Sequence, residues 1–296
     1  MEKVRRLRPE CLSCLAKKYL DKYPEDASVE IKTEYMRRAL QILACAEEHE
    51  AAPVVVNRIA KVHDELFGAT DEFRTAKKHF NQVMLGRVEA IQAKLDAADD
   101  PLLLGLQYAM VGNYIDFGAM KQVDEAHLSH LLDNAKEQPI PAAEYEYLKK
   151  DLSAAKHLVY LTDNCGEIVL DKLLIQVIQK FYPYLKITAV VKGGNVLNDA
   201  TMEDAVQVGL TDLVPVTDNG NDIAGTWLDS TKTETRKIIE AADIILSKGQ
   251  ANYETLRFCG LNIYYLFLCK CEMFAKEFDI ERFTGMLLNE LRRQNS

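Results

Sequence analysis

At about residue 156 the spacing of apolar side chains changes, and no other feature narrows the fold as much. Before that point they recur every three or four positions, the interval that places them on one face of an α-helix. Ile31, Tyr35, Ala39, Ile42 and Ala46 make one stripe. Val55, Ile59, Val62 and Leu66 make the next, ended by Gly68, where a left-handed helix terminus is easy. A third stripe, Phe73, Lys77, Phe80, Met84, Val88, Ile91 and Leu95, predicts one further long helix. Pro101 restarts the chain, and Pro139 and Pro141 interrupt it before a short helix over 142–155. Strand-like alternation is missing here, which predicts an all-helical domain over 1–155.

From residue 156 short apolar runs alternate with amphipathic stretches, the pattern of a mainly parallel sheet covered by helices. Strands are expected at 157–162, 186–191, 213–217, 243–247 and 262–268, rich in Val, Ile, Leu and Tyr as strands covered on both faces should be. A helix fills 167–181, and Thr231 with Glu234 reads as a capping box opening a helix that ends near Ala242. The fold class is therefore α/β over 156–296, joined to a helical domain.

The balance of 36 basic against 45 acidic residues, a formal charge of −9, argues against a nucleic-acid or acidic-membrane partner, since such proteins neutralise phosphates with a basic face. The amino terminus has basic residues but no apolar core with a small-residue cleavage site, and the run from Ile263 to Cys269 is far shorter than the ~20 residues of a membrane span. A cytoplasmic protein is expected. Seven cysteines fit reduced thiols better than a disulfide framework. Only Cys11 and Cys14 have suggestive spacing, and a zinc site completed by Cys269 and Cys271 would need a gap outside the common range. The six histidines form no pair at a strand end.

Ligands of an open parallel sheet bind beyond the carboxyl ends of its strands. Those ends carry Asp163, Asn164, Gly166 and Glu167 after the first strand and Lys192, Asn198 and Asp199 after the second. Asp218, Asn219 and Gly220 follow the third, Lys248, Gly249 and Asn252 the fourth, and Lys270 the fifth. Asp163, Asn164 and Asp199 offer hard oxygens without thiolate or imidazole, a set suited to Mg²⁺ or Mn²⁺ with waters completing the shell. Gly166 and Gly249 precede helices whose free N–H groups favour an anion, and Lys248 would add a fixed positive charge. A cation, backbone donors and a lysine around one point suit phosphoryl transfer. Singly, each Asp or Asn after a strand is an ordinary turn former. Their concentration at one edge is what points to a site.

Four ordered segments, LTDNCGE (161–167), KGGNVLNDATMEDA (192–205), TDNGNDIAGT (217–226) and SKGQANYETL (247–256), resemble the metal-dependent damage-control phosphatases. That family was long catalogued as a domain of unknown function, and some eukaryotic members have been called acidic-residue methyltransferases. VGNYIDFGA (111–119) and CLSCLAKK (11–18) resemble its short microbial branch, so the likeness spans nearly the whole chain. It implies a Rossmann-like three-layer α/β/α domain with a helical domain over its active edge. The implied activity is hydrolysis of small phosphorylated metabolites such as sugar phosphates, with Mn²⁺, Co²⁺, Ni²⁺ or Mg²⁺ as cofactor. On this resemblance Asp163, Asn164 and Asp199 are the metal ligands and Lys248 faces the phosphate, with Asp163 and Lys248 the catalytic pair. Asn113 and Asp116 reach into the cleft from the helical domain, while Glu167, Asn198, Asn252 and Glu254 fall on further motif positions. Cys165 departs from the small apolar residue of many relatives.

Two routes stay open, a direct attack by water and an aspartyl-phosphate at Asp163. Direct attack is preferred because the Asp-x-Asp pair of carboxylate-nucleophile phosphatases is missing. A carboxyl methyltransferase using S-adenosylmethionine is the first alternative, but no G-x-G-x-x-G follows the first strand. The second is a non-catalytic module that binds a metabolite or a metal in the same cleft.

Overall fold

The computed structural model describes residues 6–69, 73–116 and 123–293. Phe117, Gly118 and Ala119 of the VGNYIDFGA segment lie outside the described residues, as does the start of the basic amino terminus. The helical part runs α1 Pro9–Tyr19, α2 Val29–Ala44, α3 Ala52–Phe67, α4 Arg74–Leu85, α5 Val88–Asp96, α6 Pro101–Gly112, α7 Glu125–Asp133 and α8 Ala142–Ala154. The remainder alternates: β1 His157–Leu161, α9 Glu167–Phe181, β2 Lys186–Val191, α10 Met202–Gln207, β3 Val216–Asp218, α11 Thr233–Glu240, β4 Ile244–Lys248, α12 Gln250–Leu256, β5 Ile263–Leu268, α13 Glu272–Phe278, β6 Gly285–Asn289 and α14 Glu290–Arg293.

The six strands lie in the order β3-β2-β1-β4-β5-β6, parallel except for β6, which pairs antiparallel with β5. Successive strand residues face opposite ways, and the burial follows that alternation. Leu158, Tyr160, Leu246, Tyr264 and Leu266 join α4 to α9 in one apolar cluster, while Val159, Leu161, Ile245, Tyr265 and Phe267 join α11, α12 and α13 in another. A third cluster holds α1, α2 and α3 together, and α3 packs on α12. Ala51 and Val54 of that unit meet Ile223 and Trp227 beyond β3.

One helix places the site. Nine residues of α6 are buried, so it is not an amphipathic surface helix but a central one, packed on α9, α7 and β5. Gly105 and Gly112 make the close approach to α9 possible. A β-carbon at Gly112 would lie 2.8 Å from Leu174's neighbour one turn back, Leu170, and one at Gly105 would lie 3.1 Å from Leu174 itself. The end of α6 is thereby pressed against the start of α9, and Asn113 is delivered to the carboxyl edge of the sheet.

Four expectations change. The stripe from Phe73 to Leu95 is two helices, α4 and α5, because the chain turns at Gly86 and Arg87. Leu85 and Val88 then both reach the shared core. The third strand starts later than expected, at Val216. The helix after Thr231 begins at Thr233, and the Thr231 hydroxyl donates to the Trp227 carbonyl instead of capping. The strand β6 was not expected at all: GMLLN is short, and it returns to β5 through a connection that contains α13, so no hairpin signal marks it.

Candidate functional site

The strand order reverses between β1 and β4, the point where an open parallel sheet forms its ligand crevice. Asp163 and Asn164 follow β1 there, and Lys248 ends β4. The segment after β2 returns toward them through paired backbone. Ala200 N–H donates to the Asp163 carbonyl at 2.7 Å, Lys192 N–H donates to the Ala200 carbonyl at 2.9 Å, and Asn164 bridges antiparallel to Asp199. Asp163 and Asp199, 36 positions apart in sequence, are thus fixed on neighbouring backbone (199 − 163 = 36).

A buried hydrogen-bond network surrounds Asp163. Its Oδ2 accepts from Asn113 Nδ2 at 2.9 Å and from Asn164 Nδ2 at 2.8 Å. Both amides also donate to Glu167, Asn164 at 2.9 Å and Asn113 at 3.1 Å, while Asn113 Oδ1 accepts from the Leu268 N–H at 3.1 Å. Below them Lys248 Nζ reaches Glu167 Oε1 at 2.6 Å, Asp171 Oδ1 at 2.8 Å and the Ala109 carbonyl at 2.9 Å. Asp171 also accepts from the Tyr160 hydroxyl at 2.6 Å. Lys248, Glu167 and Asp171 are fully enclosed. Lys248 therefore stands at the floor of the cleft, with Glu167 between it and the amides.

Burial raises the Asp163 carboxyl well above the usual carboxylate range, and the neighbouring Asp199, Glu167 and Asp116 push it further. Burial also lifts Asp199 to about 6, against the pull of Lys192 and with Asp116 adding to the rise. Asp171 is likewise pushed up to about 6 by burial, with Lys248 opposing. For Lys248 burial works against the charge, yet Asp171 and Glu167 more than offset it and hold the ammonium firmly protonated.

The other residues singled out in the sequence divide by role. Asp116 Oδ2 accepts from Lys270 Nζ at 2.6 Å, and the same ammonium donates to the Asn113 carbonyl, so the α6 terminus and β5 are tied at the cleft. Asn198 donates to the Ile115 carbonyl at 3.0 Å and its own carbonyl accepts from Cys165 N–H, which braces the loop. Asn252 faces inward, donating to the carbonyls of Lys248 and Thr162 and accepting from Thr226. Glu254 bonds Gln250, whose Oε1 accepts from the N–H groups of Lys270 and Cys271. Gly166 and Gly249 stand directly before α9 and α12, and their own N–H groups are engaged, that of Gly166 by Asn81 Oδ1 at 2.6 Å and that of Gly249 by the Leu266 carbonyl at 3.1 Å. Asp171 and Tyr160 were missed. Asp171 is four residues after Glu167, the spacing that puts both on one helical face.

Whether these groups suit a divalent cation can be judged from what they lack. Asp199 Oδ2 is a buried oxygen with no hydrogen-bond partner. The Asn164 amide nitrogen is engaged by Asp163 and Glu167, which leaves its Oδ1 as an acceptor. Two buried carboxylates, of which Asp199 raises the proton affinity of Asp163, an oxygen without a hydrogen-bond partner and an amide oxygen fit a hard cation. No group of three or more His, Cys, Asp or Glu in metal-holding arrangement occurs among the described residues, so the amide is a necessary member of the set.

Comparison with known proteins gives a consistent answer. Residues 7–284 match the damage-control phosphatase ARMT1-like domain. A damage-control phosphatase of Archaeoglobus fulgidus is 30% identical over 282 residues, covering 93% of this chain and 96% of that one. A damage-control phosphatase of Pyrococcus horikoshii is 27% identical over 278 residues, covering 92% and 94%. The crystal structure of a DUF89 family protein from P. horikoshii superposes with a TM-score of 0.79 at 24% identity, covering 96% of this chain and 99% of that one.

Proposed function

The chain belongs to the damage-control phosphatase ARMT1-like family, and from that premise we propose that it is a metal-dependent phosphomonoesterase acting on small phosphorylated metabolites, sugar phosphates among them, in the cytoplasm. The observation that carries the proposal is the backbone pairing of Asn164 with Asp199, and of Ala200 with Asp163, at the switch point of the sheet, with a buried Asp199 oxygen that has no hydrogen-bond partner among the described residues. Asp163, Asn164 and Asp199 would hold the cation, with Mn²⁺, Co²⁺, Ni²⁺ and Mg²⁺ all compatible with an oxygen set. Bound there, a divalent ion supplies Lewis-acid polarisation of a phosphoryl oxygen.

The protein's own groups supply the rest. Asn113 and Asn164 fix the Asp163 carboxylate by two hydrogen bonds to one oxygen. That orientation suits a ligand better than a free nucleophile, so we favour attack by water over a phosphoenzyme. Lys248 places a positive charge beneath Glu167 and holds its carboxyl group aligned with both amides. Asn113 and Asp116, on the last turn of α6 and just beyond, border the place where the non-phosphate part of a substrate would lie.

The decisive experiment is release of phosphate from a panel of sugar phosphates by the full chain, with each of the four ions and with EDTA. Turnover with at least one ion, abolished by EDTA and by Asp163→Ala, is the expected result. Binding of S-adenosylmethionine with no divalent-dependent phosphate release would reverse the assignment, and a phosphoenzyme trapped in the wild type but lost in Asp163→Ala would replace the water route.

A further inference from the structure

We infer that Lys192 is the residue whose ammonium meets the phosphoryl oxygens of the substrate directly, a role that rests on the phosphatase reading and adds to it a group assigned no part so far. Lys248 and Lys192, both buried at the cleft, differ in what surrounds them. An ammonium carries three hydrogens. Those of Lys248 are all engaged, by Ala109, Glu167 and Asp171, so it cannot turn to a ligand without opening a buried ion pair. Among the described residues Lys192 Nζ makes one hydrogen bond, to the Gly225 carbonyl at 2.6 Å, and stands 3.6 Å from Asp199 Oδ2. That second distance is an ion pair but beyond hydrogen-bond length.

A lysine only 3% exposed whose three hydrogens meet one carbonyl and one longer ion pair still has a donor to offer, which is costly unless something else accepts from it. It faces a carboxylate oxygen with the complementary defect, since Asp199 Oδ2 is buried and unbonded. Between the two, an anion's oxygen would satisfy the lysine and a cation would satisfy the carboxylate. That is the juxtaposition a phosphate bound through a divalent ion requires.

Position is fixed by backbone rather than by a flexible loop. Lys192 directly follows β2, its N–H donates to the Ala200 carbonyl, it bridges in parallel to Thr201, and Ala200 in turn donates to the Asp163 carbonyl. Lys192, Asp199 and Asp163 are therefore clamped in one frame. Lys192 also acts on both carboxylates, drawing each toward its ionised form. Opposite it, the Gly225 carbonyl is held by the packing of the loop on α12, where a β-carbon at Gly225 would lie 2.4 Å from the Ala251 carbonyl oxygen. The stem of Lys192 is thus aimed from both ends.

The test is calorimetric titration of inorganic phosphate into the Mn²⁺-loaded full chain, with Lys192→Met, Lys192→Arg and wild type compared, and with Mn²⁺ affinity measured separately. A charge-assisted hydrogen bond lost from the site should raise the phosphate Kd of Lys192→Met on the order of 10- to 100-fold, while Mn²⁺ binds at least as tightly once a neighbouring positive charge is gone. Lys192→Arg should recover part of the phosphate affinity. Should Lys192→Met fail to fold, Lys192→Gln keeps a donor for the Gly225 carbonyl without the charge and makes the same comparison. A phosphate Kd within twofold of wild type in a folded Met or Gln variant overturns the assignment, as does a wild type that binds no phosphate. Phosphate binding that depends on Lys192 in a protein that hydrolyses no ester would sustain the assignment and defeat the phosphatase reading instead.

Discussion

The α-carbon of Gly249 lies so close to the Asp163 side chain that a β-carbon there would fall 1.9 Å from Oδ2. The absent side chain of one strand end is the space occupied by the carboxylate of another. Gly249 also has φ of 81° and ψ of 154°, a region open essentially to glycine alone that costs other residues about 1–3 kcal/mol. Gly249→Ala should therefore lower stability by at least that amount. Because Asp163 must move, it should also lower divalent-dependent turnover on the order of 10²-fold. Thermal melts with and without Mn²⁺ check it: the ion should protect the variant less than the wild type.

Asn113 donates to two carboxylates and accepts a backbone N–H, all in the interior. Asn113→Ala takes one donor from each carboxylate, which keep their bonds to Asn164 and Lys248, and leaves the buried Leu268 N–H without its acceptor, so it should cost about 1–3 kcal/mol by urea unfolding. Asn113→Asp makes a sharper distinction. It keeps the shape but sets another negative charge against Asp163 and Glu167, so its deficit relative to wild type should be larger at pH 8 than at pH 5.

How much of this was legible follows from the range of each interaction. The sequence pattern places Asp163, Asn164, Glu167 and Lys248 at strand ends correctly because a strand end is a local property of its own apolar run. The helix over 167–181 has the expected bounds for the same reason. What the pattern could not supply is which way a side chain turns. Asn252 and Lys248 sit four apart on one motif, yet Asn252 Nδ2 bonds the Lys248 carbonyl while the Lys248 side chain crosses to α9. The role of α6 was equally hidden, since a helix buried on all sides has no stripe to read, and its register against α9 depends on Gly105 and Gly112 meeting Leu174 and Leu170 across the fold. The corrected break at Gly86 has the same origin: the apolar period continues through it, and only packing decides that the chain turns.

Asp171 shares Lys248 with Glu167 in a site with no exposure, and its Oδ2 has no hydrogen-bond partner. Asp171→Ala leaves Lys248 paired with Glu167 but takes the acceptor from one of its hydrogens and from the buried Tyr160 hydroxyl, so it should destabilise by about 1–3 kcal/mol. Tyr160→Phe deletes one hydrogen bond to the same carboxylate and should cost about 1 kcal/mol. A double-mutant cycle between the two, followed by chemical denaturation, should give a clear coupling energy, and strictly additive losses would place Tyr160 outside the network.

The last prediction concerns pH without metal. Asp163, Asp171 and Asp199 all have proton affinities raised by burial above the ordinary carboxylate value of 3.8, the latter two to about 6. The native state then binds more protons than the unfolded chain between those values, so their contribution to stability is complete below about pH 4 and is lost as pH rises through about 6. In EDTA the melting temperature of the wild type should fall from pH 5 to pH 7.5 relative to that of Asp199→Asn, which has no proton to lose at that position. A divalent cation competes with protons for the ionised pair, so its stabilisation should grow over the same interval. Melts of both proteins at the two pH values, with Mn²⁺ and with EDTA, decide the matter. Equal pH slopes in EDTA would show that Asp199 ionises in the fold as easily as it does unfolded, and the electrostatic argument for a cation between Asp163 and Asp199 would lose its basis.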